Sequence, residues 1–189
     1  MEFKKIKDKI LNDIISPFFI KNGFIDNSFL NNGIKYILNK NHITFTIEVF
    51  CQTYHNEKLI DNFLIKIKTF LDNQTEMTPF MCFKPYFINF PETSGIIISE
   101  IIDMSKLTSL LNNELEKILD ILNEYDNVEK IIIEGKKEIK RLNDMNIEKK
   151  IKMETNNLCL IKLNEKKIEV INDWIEKRMI ENIIRANGI

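Results

Sequence analysis

The stretch Ile34-Lys35-Tyr36-Ile37-Leu38-Asn39-Lys40-Asn41-His42-Ile43-Thr44-Phe45-Thr46-Ile47-Glu48-Val49-Phe50-Cys51 decides the fold class. Its second half alternates apolar residues with Thr44, Thr46 and Glu48, which is the pattern of a strand with one buried face. The polar run 39–42 separates two apolar runs and is typical of a hairpin turn. The stretch therefore predicts a β-hairpin over residues 34 to 51.

The segment before the hairpin has a helical period instead. Apolar side chains recur there every three or four positions, at Phe3, Ile6, Ile10, Ile14 and Phe18. This spacing predicts an N-terminal amphipathic helix. Pro17 is expected to interrupt the helical hydrogen bonds near its end, and Gly23 is expected to cap it. The change from helical to strand period predicts an α+β domain with an antiparallel sheet.

The segment after the hairpin begins with residues that fit both a helical and a strand period, and its later residues fit strands. Residues 59–71 fit a helical stripe, although Ile65-Lys66-Ile67-Lys68 alternates as a strand would. We expect a helix from Leu59, packed with the first helix on the apolar face of the sheet. Residues 80–90 and 96–98 predict further strands, and Pro85 restricts the first of these to an edge or a bulge.

The C-terminal half is predicted to be rich in helix. Apolar residues at 107, 111, 115, 118, 122 and 125 predict a helix, but Asn127 and Gly135 leave open whether residues 104–145 form one helix or two. Short strands are expected at 151–153 and 158–163, and a closing helix at 168–185. We expect a single domain over residues 1–189, with a possible subdivision into a mixed part at 1–103 and a mainly helical part at 104–189.

Composition excludes several classes of protein. The chain has 189 residues, 44% of them hydrophobic, with 27 Lys plus Arg against 28 Asp plus Glu. It is therefore not a disordered chain, and its net charge gives no reason to bind nucleic acid or an acidic membrane. Ile, Lys and Asn are abundant while Ala186 is the one alanine, a usage typical of an A/T-rich genome. No signal peptide or membrane-spanning run is recognisable, so a cytoplasmic protein with no membrane contact is predicted.

No pattern of residues indicates catalysis, a cofactor or a metal. A Ser/His/Asp or Cys/His catalytic set would have to use one of the two histidines, His42 and His55, and the three cysteines at 51, 82 and 159 lack the spacing of a zinc site. The glycines are too far apart for a phosphate-binding loop. We therefore expect no enzyme activity, no cofactor and no metal; a small enzyme whose site is assembled from distant loops is the alternative.

Nucleic acid is not an expected partner either. The segment 136–152 is basic, but no aromatic residue lies between Tyr125 and Trp174 to stack on a base. Binding through phosphates alone would be weak and sensitive to salt.

The closing helix provides the one candidate site. Its apolar residues spread around more than half of the helix circumference, which is wider than one buried stripe requires. Either the helix is buried on several sides within its own domain, or part of this surface binds a protein. On the second interpretation Trp174 and Met179 are the anchors, with Ile175 and Ile180 beside them, because large and adaptable side chains concentrate binding energy. The partner is then another protein or a second copy, as in an oligomeric scaffold.

The order of features also resembles a known family. The ending Ile15-Ser16-Pro17-Phe18-Phe19-Ile20-Lys21-Asn22-Gly23-Phe24 of the first helix, the hairpin after it and the acidic helix from Leu107 are similar to bacterial domains of unknown function of the DUF4304 type. Some of these are candidate immunity proteins found beside polymorphic toxins. The resemblance covers roughly residues 1 to 125; it implies a non-catalytic protein-binding role and supplies no catalytic residues. This chain continues well beyond that part and is not strongly acidic.

Overall fold

The computed structural model describes residues 2–30, 33–52, 59–60, 62–72, 79–89, 96–97, 104–151 and 155–187. These residues form an α+β protein with a six-stranded antiparallel sheet and a helical C-terminal half, as the sequence predicts. The helical elements are α1 (Glu2–Ile10), a π-helical turn (Leu11–Ile15), α2 (Ser16–Lys21), α3 (Met104–Asn123), α4 (Val128–Ile151) and α5 (Thr155–Ala186). The strands are β1 (Ile25–Leu30), β2 (Gly33–Lys40), β3 (Ile43–Gln52), β4 (Leu59–Ile60), β5 (Asn62–Leu71), β6 (Met81–Cys82), β7 (Tyr86–Asn89) and β8 (Ile96–Ile97).

Two compact units divide the chain. The first comprises Met1–Lys40, Thr44–Thr69 and Met81–Asn123, and the second comprises Asn41–Ile43, Phe70–Phe80 and Glu124–Ile189. Helix α3 therefore belongs with the sheet, although the possible subdivision at residue 103 would place it with the later helices. The prediction of a single domain stays a prediction.

The N-terminal helix changes its winding where proline requires it. The amide of Ser16 donates to the carbonyl of Leu11, five residues earlier, so the helix widens just before Pro17. Proline then lies in the first turn of α2, where its missing N–H is tolerated. The helix ends at Lys21, and Gly23 caps it with a φ of +84°, which suits a residue without Cβ; Phe24 donates to the carbonyl of Phe19. The expected roles of Pro17 and Gly23 are confirmed.

The predicted hairpin is confirmed as β2 and β3. Its turn residues Asn41 and His42 have φ values of +52° and +64°, which is the backbone of a type I′ turn. Strand order in the sheet is β1-β2-β3-β5-β6, and β7 also pairs with β5. β4 and β8 form a separate two-stranded pair. Strands β6 and β7 are the expected aromatic strand, interrupted at Phe83–Pro85.

The helix predicted for residues 59–71 is wrong, because these residues form β4 and β5. In β5 the side chains of Phe63, Ile65 and Ile67 are buried, while Lys66 and Lys68 are partly exposed. The ammonium of Lys68 pairs with Glu48 of β3 at 3.1 Å. A helix would not place the two lysines on one side of the segment, as the strand does. The alternation of apolar and charged residues was therefore a stronger indication of a strand than the helical stripe was of a helix.

The core of the first unit combines the sheet with the flanking helices. Phe19 stacks near Tyr36, with ring centroids 4.7 Å apart, and the Tyr36 hydroxyl shares a 2.7 Å hydrogen bond with Ser16. Helix α3 packs against the π-helical turn. Its buried residues are five of the six predicted ones, Leu107, Leu111, Leu115, Ile118 and Leu122; the sixth, Tyr125, follows the helix and is half-buried.

Residues 124–127 separate α3 from α4, so residues 104–145 lie on two helices. The short strands expected at 151–153 and 158–163 are wrong where the structure describes them: Ile151 ends α4, and residues 158–163 lie within α5. Met153 lies outside the described residues. The closing helix is confirmed and begins earlier than expected, at Thr155.

Candidate interaction surface

Helices α4 and α5 form an antiparallel pair in the second unit. The pair packs closely at Gly135, where an added Cβ would lie 3.1 Å from Ile175 Cδ1 and 3.2 Å from Ile171 Cγ2. Glycine in mid-helix lowers helix propensity, and here it permits the close approach of the two helices. Gly135 is therefore a packing position and not the helix break that its sequence suggests.

Polar side chains hold the two helices in register. Asn164 donates to the side chain of Asn146 at 2.7 Å, and Lys167 donates to Glu138 at 2.8 Å. Burial alone would raise the pKa of Glu138, but hydrogen bonds from Arg141 and Lys167 and the positive charges of both side chains outweigh it and hold that pKa below its usual value. Glu138 is therefore a charged link between the helices at neutral pH.

The C-terminal part of α5 is fixed by Arg178. Its side chain is only 3% exposed and donates to Asp72 at 2.8 Å and to Glu181 at 2.7 Å. The guanidinium also lies 5.6 Å from the ring centroid of Trp174. Asp72, directly after β5, has His42 Nδ1 at 3.3 Å from its carboxylate. Because Asp72 is shared between Arg178 and His42, this cluster joins α5 to the end of β5 and to the hairpin turn.

Exposed apolar side chains concentrate on this helical pair. Among the described residues thirteen large apolar side chains are exposed, and ten of them lie on α4 or α5. These ten are Ile133, Ile147, Ile151, Leu158, Leu160, Leu163, Met179, Ile180, Ile183 and Ile184. Two packed helices cover only one face of each other, so the remaining apolar side chains of the pair are free to contact another molecule.

The structure separates the four residues predicted to form the interface. Trp174 is 1% exposed and Ile175 is buried, so both contribute to the core of their own unit. Met179 and Ile180 are exposed, at 46% and 50%. The reason is angular: Trp174 and Ile175 lie on the side of α5 that includes Arg178, while Ile180 lies on the far side. The interface itself stays a prediction, with Met179 and Ile180 as its accessible members.

The sequence analysis did not predict any of the three exposed apolar residues on α4. Ile133, Ile147 and Ile151 occur among lysines without a regular stripe, and only the packing at Gly135 and Leu142 shows that they face away from α5. If the sequence analysis had predicted a helix extending to Ile151, the spacing of these residues from Leu142 would have placed them on the side opposite Leu142.

Each unit contains a cavity among its described residues. A cavity of about 300 Å³ in the first unit is lined mainly by apolar side chains, including Phe24, Phe45 and Leu122. A shallow cavity of about 730 Å³ in the second unit is lined by Asn41, Asp126 and the C-terminal end of α5, among others. Histidine and cysteine are absent from both linings, so a Ser/His/Asp or Cys/His catalytic set is not placed there; Asp126 and Glu129 are the acidic residues of the second lining.

Other functional features were also sought within the described residues. They contain no cluster of three His, Cys, Asp or Glu side chains able to hold a metal ion. None of their helices is long and apolar enough to cross a membrane. Cys51 is buried, Cys82 and Cys159 are exposed, and none of the three forms a disulfide; His55 lies outside the described residues.

Comparison with known proteins identifies no relative: no family model, no curated protein and no solved structure matches this chain.

Proposed function

We propose that this protein is a non-catalytic protein-binding module that acts by direct binding, as an immunity or antidote protein does. The observation that carries the proposal is the concentration of exposed apolar side chains on α4 and α5. Exposed apolar area is unfavourable in water, and contiguous apolar surface on a folded protein is characteristic of binding sites.

The rigidity of the helical pair supports the proposal. Gly135 brings the helices close, Glu138 and Lys167 link their middles, and Arg178 fixes the end of α5. Side chains on this pair of helices already hold their positions before a partner binds. Association then loses less conformational entropy than binding by a flexible segment would.

The His–carboxylate pair that the structure describes has a structural role. Histidine and cysteine are missing from both linings, and the one His–carboxylate pair described, His42 with Asp72, shares its carboxylate with the buried Arg178. The resemblance to candidate immunity domains of the DUF4304 type agrees with a binding role and forms part of this proposal.

The experiment is a capture assay with matched surface variants. Purified tagged chain, the variant I180Q/I183Q and the control I25Q are incubated with extract of the source cells. Ile25 is exposed in the first unit, so I25Q makes the same chemical change away from the proposed surface. A partner of the α5 surface should bind the native chain and I25Q and be lost with I180Q/I183Q.

Reconstitution completes the test. The captured protein is purified and titrated with each variant, and any activity it carries is measured with one equivalent of native chain. Suppression of that activity supports the immunity-like role. Equal capture by the native chain and both variants would contradict the use of this surface.

A further inference from the structure

The cavity of the first unit lies beside the end of the first helix, and its apolar lining comes from three parts of the chain. Phe24 follows that helix, and Leu38 and Phe45 belong to β2 and β3. Leu119 and Leu122 belong to the last turns of α3. Every described residue of the lining lies in the first unit, so this site is separate from the α4 and α5 surface, which lies in the second.

The cavity forms where β2 extends past the helix that packs on it. Alternate residues of a strand share a face, and on one face of β2 Tyr36 is buried, Leu38 is half-buried and Lys40 is exposed. Phe19 of α2 packs on Tyr36, and the chain turns at Gly23, where an added Cβ would lie 3.7 Å from Leu38 Cδ1. The helix therefore covers this face only as far as Leu38, and β3 and α3 bound the space beyond it.

The interior of this cavity is apolar. Phe24, Phe45 and Leu122 are almost fully buried, and Leu38 and Leu119 are half-buried. The cavity volume of about 300 Å³ is at the lower end of the range for small-molecule sites. An apolar cavity of about 150 Å³ already holds one benzene molecule. The interior therefore has room for an apolar group larger than a single ring, such as an alkyl chain of several carbons.

The solvent side of the cavity is polar and carries one positive charge. The other lining residues are Asn22, Lys40 and Asn123, and all three are exposed. Within the described lining no residue is acidic, so the ammonium of Lys40 is its one charged group. Asn22 Nδ2 donates to the carbonyl of Phe18 at 2.9 Å, and an amide nitrogen has two N–H groups, so it can donate to a second acceptor. These donors suit an anion, because hydrogen bonds from an ammonium to a carboxylate are charge-assisted.

We propose that this cavity binds a small monocarboxylic acid with an unbranched apolar chain. The chain lies among Phe24, Phe45 and Leu122, and the carboxylate lies at the solvent side beside Lys40. Each methylene that moves from water into the apolar interior strengthens binding about fourfold. The single charge of Lys40 selects an acid over an alcohol of equal length and repels an amine. This binding activity is additional to the proposed function, so either proposal can fail without the other.

Calorimetric titration of the full chain with octanoate, octanol and octylamine tests the chemistry of the ligand. The three probes share one chain length and differ in the head group, and at about pH 7.5 octanoate, octylamine and Lys40 are all charged. We expect octanoate to bind with a dissociation constant on the order of 0.1 mM. It should bind about fivefold more tightly than octanol, and octylamine should bind most weakly. Hexanoate and butanoate should bind progressively more weakly, by about fourfold for each methylene removed.

Nuclear magnetic resonance of the leucine methyl groups locates the ligand. Octanoate should shift the methyl resonances of Leu38, Leu119 and Leu122 and leave those of Leu142, in the second unit, unchanged. Leu119→Trp fills part of the cavity and should weaken the binding of octanoate and octanol alike. Circular dichroism of this variant confirms that it folds, so that loss of binding is not loss of structure.

A surface variant tests the role of the charge without disturbing the core. Lys40→Glu should weaken octanoate binding about tenfold and leave octanol binding unchanged, because only the acid contacts this side chain. The control Lys9→Glu makes the same charge change on another exposed residue of the first unit and should bind octanoate as the native chain does.

Three results would overturn the proposal. The first is that octanoate does not bind at about 5 mM, or that it shifts the methyl resonances of Leu142 and not those of the cavity. The second is that octanoate and octanol bind equally well. The third is that Lys40→Glu binds octanoate with the native affinity. None of these results bears on the capture of a protein through Ile180 and Ile183.

Discussion

Replacement of Trp174 by alanine should destabilise the second unit severely. The indole is 1% exposed and lies beside the guanidinium of Arg178, which Asp72 and Glu181 hold in place. Because these ion pairs fix Arg178, the surroundings cannot collapse fully into the space that the indole leaves. A buried Trp to Ala change costs about 3–5 kcal/mol. For a chain of this length each kcal/mol lowers the Tm by about 2–4 °C, so we expect a drop of about 6–20 °C.

Trp174→Phe is the informative control. The indole Nε1 is buried without a hydrogen-bond partner among the described residues, so its removal relieves a desolvated donor while most of the ring is kept. We expect Trp174→Phe to lower stability by about 1 kcal/mol, several-fold less than alanine. Thermal and urea unfolding followed by far-ultraviolet circular dichroism measures both variants. A loss below about 1 kcal/mol for Trp174→Ala would refute the assignment of Trp174 to the core.

Three other substitutions test the packing. Gly135→Val should lower the free energy of unfolding in urea by about 1–3 kcal/mol, because the larger side chain overpacks against α5. Gly135→Ala should change that free energy by less than about 1 kcal/mol. The flexible ends of two isoleucines can shift, and alanine gains about 1 kcal/mol of helix propensity. Glu138 has a lowered pKa in the folded protein, so the stability it contributes is complete above the ordinary Glu pKa of about 4.3 and is lost as the pH falls through the lower folded-state pKa. The variant Glu138→Gln should therefore lose less stability on acidification than the native chain. An unchanged dependence of stability on pH would contradict this. Tyr36→Phe should cost about 1 kcal/mol because it leaves the buried Ser16 hydroxyl without its partner, and an unfolding curve identical to the native one would contradict that hydrogen bond.

The hairpin and α3 could be predicted because their patterns fit one period only. The alternation from Ile43 to Val49 has no helical interpretation, and the spacing from Leu107 to Leu122 has no strand interpretation. Segments that fit both periods were decided by partners distant in sequence. Ile65 pairs in register with Tyr86 and Lys68 pairs with Glu48, and neither contact is visible within residues 59–71. Leu158 to Leu163 likewise reads as a strand alone and becomes helix within α5, which packs beside α4.

The candidate surface could be predicted only in part, for a related reason. The sequence places Trp174, Ile175, Met179 and Ile180 on one helix but not on one side of the protein. The contact of Arg178 with Asp72, which lies 106 positions earlier in the chain, determines which side of α5 is buried. Residue size was a misleading guide, because the largest side chain is the most completely buried of the four. Isoleucine, which is abundant throughout this chain, accounts for most of the exposed apolar residues.

The close contact at Gly33 has a consequence for how this sequence can evolve. An added Cβ there would overlap the carbonyl oxygen of Val49, so no other amino acid fits without displacement of β3. All glycine codons begin with two guanines, so mutation toward A and T removes glycine steadily from a chain such as this one, in the same way that it leaves Ala186 as the last alanine. A glycine that persists under this pressure is retained by selection on the backbone. In this chain the described glycines mark three different backbone requirements: a positive φ at Gly23, a close approach of main chain at Gly33 and a close approach of helices at Gly135.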